Sequence, residues 1–258
     1  MNVVITGASS GLGAALARRY ASPSTVLGLV GRDAGRLKAT AGACEALGAR
    51  IVCGQVDVAN TEEISAWIEH FEARHAIDVI IANAGVSNGP APGARAEGLA
   101  SIAQQINTNL LGVVATVEAA LPGMLARRRG RIGIISSMAG FRGLPYSPGY
   151  SASKAGSRAY GEALRALVAP AGITVSVISP GFFGSPMTDR WKGSTPFLRT
   201  AARVAEQVKT CIDHGRSRHA WPWPLVLGLR AADLGPPAIT DAILRRFHFH
   251  IARPEDPR

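Results

Sequence analysis

The stretch TGASSGLG, residues 6–13, decides the fold because it joins an apolar strand to a helix through a glycine-rich turn. It follows the apolar run NVVIT at residues 2–6, and the pattern predicts a helix that begins at Leu12. Glycines let a backbone turn sharply and approach a ligand closely, while free N–H groups at a helix start attract an anion. Three glycines and three hydroxyl residues therefore favour a pyrophosphate site, although the spacing is not G-x-G-x-x-G. The alternative is a plain turn between a strand and a helix.

Short apolar runs recur along the chain, with longer amphipathic stretches between them. They are NVVIT (2–6), TVLGLV (25–30), RIVCGQ (50–55), DVIIAN (78–83), GRIGIIS (130–136) and ITVSVIS (173–179). This alternation is typical of a parallel sheet with crossover helices, and runs without polar alternation are typical of strands covered on both faces. The predicted fold class is α/β, a Rossmann-type doubly wound parallel sheet in a single domain, with a mostly helical C-terminal extension.

Ligands of such sheets bind outside the carboxyl ends of the strands, so we expect the functional site there. We place the dinucleotide-binding and catalytic part in residues 1–190. The substrate-loop helix and the C-terminal extension, packed on the same domain, occupy residues 191–258.

The composition indicates a folded protein with a full core, since 47% of its 258 residues are hydrophobic. Cys44, Cys53 and Cys211 have neither the paired spacing of a zinc site nor the even number of a disulfide framework. We interpret them as reduced thiols of a cytoplasmic protein. The six histidines show no ligand spacing with carboxylates or cysteines, so no metal is expected.

The formal net charge of +10 raises the question of an acidic partner. The basic residues are spread along the chain, and the dense cluster RRRGR at 127–131 falls in a predicted turn. We therefore expect a solvated basic surface and no nucleic-acid binding. The start MNVVITGASSG does not resemble a secretory signal, and no apolar stretch is expected to reach the roughly 20 residues that span a bilayer.

The end of the second strand carries the residues that select between the two nicotinamide dinucleotides. An acidic residue there accepts hydrogen bonds from the ribose 2′-OH of NAD, whereas arginine attracts the 2′-phosphate of NADP. This chain has Gly31 in that place and Arg32 after it, which favours NADP(H). The alternative is that Arg32 is only a surface charge. Asp33 is interpreted as the N-cap of a helix that begins near Gly35.

The stretch YSASK, residues 150–154, places a tyrosine and a lysine four positions apart. On a helix these side chains lie on one face, so both can point into the same groove. A free phenol has a pKa of about 10, and acid/base work near neutrality needs a fall of about two to three units. A desolvated lysine ammonium, helped by oxidised nicotinamide, is expected to lower the pKa by that amount, which makes Tyr150 the candidate general acid/base.

With these pieces the sequence resembles the short-chain dehydrogenase/reductase family. The motifs that carry the resemblance are TGASSGLG (6–13), DV (57–58), NAG (83–85), NLLG (109–112), ISS (135–137), YSASK (150–154) and SPG (179–181). They occur in the family's order and spacing, including the 13 positions from Ser137 to Tyr150. The resemblance implies an NADP-preferring oxidoreductase that interconverts a ketone and a secondary alcohol by hydride transfer.

The resemblance also implies residue roles. Ser137 would hydrogen-bond the substrate carbonyl, Tyr150 would give or take the proton, and Lys154 would hold the nicotinamide ribose and lower the phenol's pKa. Asn109 would anchor a water that relays protons to Lys154. The expected catalytic set is Asn109, Ser137, Tyr150 and Lys154. The expected cofactor-binding set is Gly7, Ser9, Ser10, Gly11, Leu12, Gly13, Arg32, Asp57, Val58, Asn83, Ala84, Gly85, Tyr150, Lys154, Pro180, Gly181 and Phe183.

The C-terminal part departs from the family pattern. Many members end with a strand and an Asp-Gly-Gly element that complete the sheet and support tetramers, and we find no counterpart here. A homodimer through helices at 99–127 and 151–169 is expected by analogy. After a helical stretch at 199–214, the tail is similar to those of members that act on hydrophobic substrates and associate with membranes. Its apolar residues and arginines suit an anionic bilayer surface; the alternative is a tail folded back on the body or on a second subunit.

The sequence specifies the substrate less closely than it specifies the fold or the cofactor. Bulky residues fall in segments predicted to border the site, which suits a hydrophobic ketone: Phe141, Leu144, Phe182, Phe183, Met187 and Trp191. We therefore expect an NADPH-dependent carbonyl reductase. The alternatives are a non-catalytic NADP-binding sensor or scaffold and, among enzymes, a reductase of sugars or polar ketones.

Overall fold

A central sheet of seven parallel strands forms the middle layer of the part of the chain that the computed structural model describes, residues 1–91, 93–232, 234–246 and 249–252. In chain order its strands are β1 (Asn2–Thr6), β2 (Val26–Val30), β3 (Arg50–Gly54), β4 (Val79–Ala82), β5 (Gly130–Ile135), β6 (Ile173–Pro180) and, after a short strand β7 (Trp191–Lys192), β8 (Arg218–Trp221). The strand β7 pairs with β9 (His250–Ile251) in a separate two-stranded sheet. Each of the six predicted apolar runs is a strand, so the predicted parallel α/β sheet is confirmed.

Helices cover both faces of this sheet. They are α1 (Gly11–Tyr20), α2 (Ala34–Glu45), α3 (Thr61–Arg74), α4 (Leu99–Ile106), α5 (Gly112–Arg127), α6 (Pro148–Val168), α7 (Pro186–Asp189), α8 (Ala201–Asp213), α9 (Trp223–Ala232) and α10 (Pro237–Arg245). Alternate residues of β1 face opposite layers: Ile5 packs in the cluster that contains Leu16 and Val208, and Val4 packs in the cluster that contains Phe71. The strand β1 is therefore buried on both sides, which explains its continuous apolar sequence.

The strand order, β3-β2-β1-β4-β5-β6-β8, places the functional site. The strand β1 pairs with β2 on one side and with β4 on the other. The crossovers leave β1 in opposite directions, so a crevice opens at the carboxyl ends of β1 and β4. The glycine turn 6–13 and the stretch 83–85 both lie at that crevice.

A last strand completes the sheet, so our expectation of no such strand was wrong. The strand β8 pairs in parallel with β6, with Val177 opposite Arg218 and Pro180 opposite Trp221. Its sequence RHAW has no apolar run because it lies at the edge of the sheet, where Arg218 is exposed to solvent. A strand with such a mixed sequence is recognisable only from the neighbour that it pairs with.

The tail after β8 folds back on the body. The strand β9 pairs antiparallel with β7, where Ile251 lies opposite Trp191. In addition, Arg142 forms an ion pair of 3.3 Å with Asp241 of α10. The tail is mostly helical, as predicted.

One expectation about membranes needs correction. The helical run Leu99–Arg127 has 29 residues and is long and apolar enough, by length and composition, to cross a bilayer. It packs against α3 and α6, and 44% of its most apolar 18-residue segment is buried. Val117 and Met124 are fully enclosed in the core. The run is therefore a core helix, and its interspersed polar residues hid its apolar character in the sequence.

Candidate active site

The glycine turn has the close-packed backbone that a dinucleotide site requires. Gly7 has a φ of 67°, and a Cβ added there would lie 2.8 Å from Cα of Ala84. A Cβ on Gly13 would lie 2.1 Å from the carbonyl oxygen of Gly7. No other residue fits either position, so the turn brings the start of α1 directly against the end of β4. Ser10 is the N-cap of α1 and makes no side-chain capping hydrogen bond, which leaves its hydroxyl for a ligand.

Asn83 joins the ends of the two central strands. Its Nδ2 donates to the carbonyl oxygen of Thr6 at 2.9 Å. In return, Oγ1 of Thr6 accepts from the backbone N–H groups of Asn83 (3.1 Å) and Ala84 (3.2 Å). These bonds hold the two sides of the crevice at a fixed separation. The cradle therefore fits a bound nicotinamide dinucleotide, with its pyrophosphate over the turn and the start of α1.

The residues predicted to select the cofactor come together at the ends of β2 and β3. Nη1 of Arg32 lies 3.3 Å from Oδ2 of Asp57, and both side chains are about half exposed. A Cβ on Gly31 would lie 3.2 Å from Cβ of Ser9, so any side chain at position 31 would border the glycine turn. Asp33 caps α2 by accepting from the N–H of Arg36 at 2.8 Å, and this hydrogen bond lowers the pKa of the Asp33 carboxyl. Its predicted capping role is confirmed.

Lys154 brings a buried positive charge to the crevice. Its side chain is 3% exposed, and Nζ donates to the carbonyl oxygen of Ile135 at 2.8 Å. Nζ also lies 5.8 Å from the ring centroid of Tyr150, so the two side chains share one face of α6 as predicted. Desolvation by burial lowers the pKa of Lys154 to about 8.

The pKa of Tyr150 departs from our expectation. Burial raises the pKa of the phenol above its ordinary value, and hydrogen bonding with the neighbouring Ser137 hydroxyl acts in the opposite direction. We expected Lys154, helped by oxidised nicotinamide, to lower it; desolvation of the phenolate is the largest effect of the protein itself. The ammonium of Lys154 is directed to the Ile135 carbonyl, which reduces its effect on the ring.

The two serines after β5 have different roles. Oγ of Ser136 is buried and donates to the carbonyl oxygen of Lys154 at 2.7 Å, which fixes α6 on the sheet. Oγ of Ser137 accepts from the N–H of Ala139 at 3.2 Å, and its hydroxyl also hydrogen-bonds the phenol of Tyr150. Ser136 is therefore bonded to the backbone of α6, whereas Ser137 lies beside the candidate acid/base Tyr150.

Asn109 lies in a π-helical turn, Asn107–Leu111, between α4 and α5. Its Oδ1 accepts from the N–H of Val86 at 2.8 Å, and Nδ2 donates to the Val86 carbonyl at 2.8 Å and to Oγ of Ser153 at 2.9 Å. A Cβ on Gly85 would lie 3.2 Å from Oδ1 of Asn109 and 3.4 Å from Nζ of Lys154. The predicted catalytic residues from α6 and the π-helical turn therefore meet at the end of β4.

The remaining predicted cofactor residues lie around the same crevice. Val58 is buried against Gly112, whose added Cβ would lie 2.8 Å from the Val58 side chain. Pro180 ends β6, and a Cβ on Gly181 would lie 2.9 Å from the carbonyl oxygen of Trp221. Phe183 is half-buried against the core cluster that contains Leu12 of the glycine turn. Gly11 lies close to Ser185, because a Cβ added to Gly11 would lie 3.2 Å from Cβ of Ser185.

An aromatic cluster joins the segment between β6 and β7, which we call the substrate loop, to the C-terminal tail. Trp191 stacks on Phe249 with ring centroids 3.9 Å apart, and it also makes a tilted contact with Phe182 at 4.9 Å between centroids. Tyr146 meets Phe249 at 5.4 Å. Our sequence reasoning missed Tyr146 and Phe249, because no local pattern shows that residue 249 returns to the substrate loop.

Two other predicted pocket residues lie elsewhere. Phe141 lies under the guanidinium groups of Arg158 (5.2 Å) and Arg230 (4.9 Å). With Leu144 it lines a cavity of about 620 Å³ between the loop after β5 and α10. In the residues that the structure describes, no group of three or more His, Cys, Asp or Glu side chains could hold a metal ion.

Comparison with known proteins identifies the family. Residues 1–195 match the family model described as short chain dehydrogenase. The ketoacyl reductase HetN of Nostoc sp. is 37% identical over 216 residues, which cover 81% of this chain and 74% of that protein.

Two solved structures share the fold over most of the chain. A variant of actinorhodin polyketide ketoreductase with NADPH has a TM-score of 0.76 at 28% identity, over 87% of this chain and 97% of that one. A short chain dehydrogenase of Mycobacterium paratuberculosis bound to NAD has a TM-score of 0.75 at 25% identity, over 85% and 94%. The chain therefore belongs to the short-chain dehydrogenase/reductase family, whose members are oxidoreductases that use a nicotinamide dinucleotide and act on CH–OH and C=O groups.

Proposed function

We propose that this protein is an NADPH-dependent carbonyl reductase that interconverts a ketone and a secondary alcohol. The observation that carries the proposal is the meeting of Asn109 and Lys154 at Gly85, with Tyr150 on the same face of α6 as Lys154. A sensor or scaffold protein would not need a buried lysine charge at the crevice, because burying that charge is unfavourable.

The side chains around Tyr150 can move one proton to the substrate oxygen. The nicotinamide, when bound, supplies the hydride for reduction and accepts it for oxidation. The raised pKa of Tyr150 keeps its phenol protonated at neutral pH, ready to donate to the oxygen on which charge develops. The O–H of Ser137, which lies beside the phenol, can donate to the same oxygen. Lys154, with a pKa of about 8, can return a proton towards the phenolate.

The preference for NADPH is supported by the end of β2. Arg32 is exposed and is held beside the adenine end of the crevice by its ion pair with Asp57. Gly31 presents no carboxylate that would repel a 2′-phosphate, and the Ser9 hydroxyl lies next to the space that a side chain there would fill. An arginine–phosphate contact of this kind contributes about 1.5 to 3 kcal/mol.

A hydrophobic substrate is supported by the aromatic cluster of Phe182, Trp191 and Phe249. Phe182 lies in the loop after β6, Trp191 in β7 and Phe249 directly before β9, and we assign these rings to the substrate side of the crevice. A bulky apolar ketone would gain about 25 cal/mol for each Å² that it buries against them. A sugar or polar ketone would gain little from the same rings.

The test is NADPH oxidation with a panel of ketones and a matched pair of tyrosine variants. Tyr150→Phe should lower kcat by about 100- to 10,000-fold, because it removes the proton donor. Tyr160→Phe is the control, since Tyr160 lies on the same helix but donates to Glu118, away from the crevice. Tight NADPH binding without turnover of any ketone would favour the sensor or scaffold, and an active Tyr150→Phe variant would reject the mechanism.

We also propose a cytoplasmic homodimer. The cysteines are free thiols, and the outer sides of α5 and α6 carry exposed apolar residues such as Leu125 (41%) and Leu167 (75%). A second copy would cover these faces, because exposed apolar helix surfaces favour association. Sedimentation of wild type and Ala159→Glu should give a dimer and a monomer, respectively. A monomeric wild type would contradict the proposal.

A peripheral membrane contact is a second candidate role for the tail. Trp223 is 70% exposed, Leu227 is 60% exposed and Leu234 is 90% exposed, and Arg230 lies among them. Apolar side chains with neighbouring arginines suit an anionic bilayer surface. Wild type should float with phosphatidylglycerol vesicles, and a Trp223→Ser/Leu227→Ser variant should not. Leu99→Ser is the control, because Leu99 is also exposed (82%) but lies on α4. Equal flotation of all three proteins would reject the contact.

A further inference from the structure

Glu97 is a buried carboxylate outside the proton path described above. It lies shortly before α4 and is 5% exposed. Its Oε2 accepts from the backbone N–H of Gly149 at 2.9 Å. Its Oε1 accepts from Oγ of Ser101 at 3.1 Å and from Nε2 of Gln105. Burial of a carboxylate is unfavourable unless hydrogen bonds compensate, and here three neutral donors do so.

Gln105 extends this network to the loop that follows β4. Its side chain is fully buried, and Oε1 accepts from the N–H of Asn88 at 3.0 Å. The carbonyl oxygen of Asn88 in turn accepts from Oγ of Ser147 at 3.0 Å. The loop beside the crevice and the start of α6 are thus joined through buried side chains.

The start of α6 is packed tightly against this network. A Cβ on Gly149 would lie 2.9 Å from Nε2 of Gln105 and 3.1 Å from Cα of Ile102. The carboxylate of Glu97 therefore meets the first turn of a 21-residue helix at close range. Negative charge is favourable at that end of a helix because of its free N–H groups and its dipole. The next residue after Gly149 is Tyr150.

We infer that Glu97 is a positioning residue that anchors the first turn of α6 and so holds the Tyr150 phenol in place beside Ser137. This inference rests on the proposed carbonyl reduction. A displacement of about 1 Å at a reacting group lowers a rate by about 100-fold. An amide at position 97 would present its own N–H groups to one of the donors, either Gly149 N–H or Gln105 Nε2. The helix start would then lose a hydrogen bond or shift.

The experiment compares Glu97→Gln with a control and with a rescue variant. Gln104→Ala is the control, because Gln104 is an exposed neighbour whose side chain accepts from Asn88 Nδ2 at 2.9 Å and makes no contact with Glu97 among the described hydrogen bonds. The double variant Glu97→Gln/Gln105→Glu is the rescue, since it exchanges the amide and the carboxylate and restores a donor–acceptor pair between the two side chains. Measured quantities are kcat, KM for a ketone, Kd and stoichiometry for NADPH, and amide hydrogen exchange at residues 148–151.

We expect Glu97→Gln to lower kcat by about 10- to 100-fold, with KM and the NADPH Kd within about threefold of wild type. NADPH should still bind to every chain, which separates a misplaced phenol from an unfolded protein. Exchange at residues 148–151 should become faster, the control should behave as wild type, and the rescue should recover most of the lost kcat. A kcat within twofold of wild type, or a loss of NADPH sites equal to the loss of kcat, would overturn the inference.

Two further outcomes are also decisive. If Glu97→Gln does not fold, the experiment uses Glu97→Asp, whose shorter side chain cannot reach both Gly149 and Gln105. A reduced kcat of this variant would support the inference, and an unchanged kcat would overturn it. If wild type turns over no ketone, the proposed reaction fails but the anchor is still tested. Faster exchange at residues 148–151 in Glu97→Gln would then support the anchor, and unchanged exchange would overturn it.

Discussion

Replacing Lys154 by methionine removes a charge that the fold buries beside the candidate catalytic tyrosine. The ammonium is 3% exposed, and burial lowers its pKa from 10.5 to about 8. Each unit of pKa shift corresponds to about 1.4 kcal/mol. Burying this charge therefore destabilises the folded protein by about 3 kcal/mol at neutral pH.

The pH dependence of this penalty follows from proton binding. Below pH 8 both the folded and the unfolded states hold the proton, so the whole penalty is present. Between pH 8 and 10.5 the unfolded state holds more protons than the folded state, and the stability of wild type rises with pH. Above 10.5 both states are neutral and the penalty is gone.

The assay is urea unfolding of wild type and Lys154→Met across pH 7 to 10.5. The free energy of unfolding of wild type minus that of the variant should rise by about 3 kcal/mol over this range. The same comparison in a Tyr150→Phe background removes the contribution of the phenol and should show the same rise. Lys154→Met should also lose nearly all reductase activity. A free-energy difference that stays flat within about 0.5 kcal/mol would refute the reasoning, because Lys154 would then titrate as an ordinary surface lysine.

Three further predictions concern the cofactor and substrate sites. Gly31→Asp should shift the ratio of NADPH to NADH affinity towards NADH by at least about tenfold, because the new carboxylate repels a 2′-phosphate. Fluorescence titration with both cofactors measures this ratio, and an unchanged ratio would contradict the assignment. Gly13→Ala should abolish NADPH binding, because its Cβ would lie 2.1 Å from the Gly7 carbonyl oxygen. Gly42→Ala is the control and should bind normally, because a Cβ there meets nothing within 4 Å. Equal titration curves for the two variants would count against the proposed cofactor cradle. Phe249→Ala should raise KM about tenfold for bulky apolar ketones and leave small polar ketones unaffected, because it removes the ring that stacks on Trp191; equal changes for both substrate classes would argue against an apolar site.

Much of the fold was predictable from the sequence because its signals are local. A strand that is covered on both faces of the sheet appears in the sequence as an apolar run, and Asp33 before a helical stretch predicts a helix cap. The spacing of Tyr150 and Lys154 predicts a shared helix face, which the structure shows. The edge strand β8 was missed because a strand with one neighbour and an exposed Arg218 needs no apolar run.

The pKa of Tyr150 shows the limit of reasoning from spacing. The four-residue interval brings Lys154 near the phenol, but the sign of the shift depends on how deeply the phenol is buried and on what else the ammonium bonds. Both are properties of the packed structure. The expected fall in the Tyr150 pKa and the rise that burial causes in the folded chain therefore differ for an identifiable reason, the desolvation of the phenolate.

By itself, the sequence determined the six apolar strands, the glycine turn and the chemical groups available at the carboxyl ends of those strands, because these depend on residues that are neighbours along the chain. Only the tertiary structure decided which distant residues meet: Glu97 with Gly149, 52 positions away, and Trp191 with Phe249. Such contacts carry no local pattern, since their stability comes from burial and hydrogen bonds that exist only after the chain has packed.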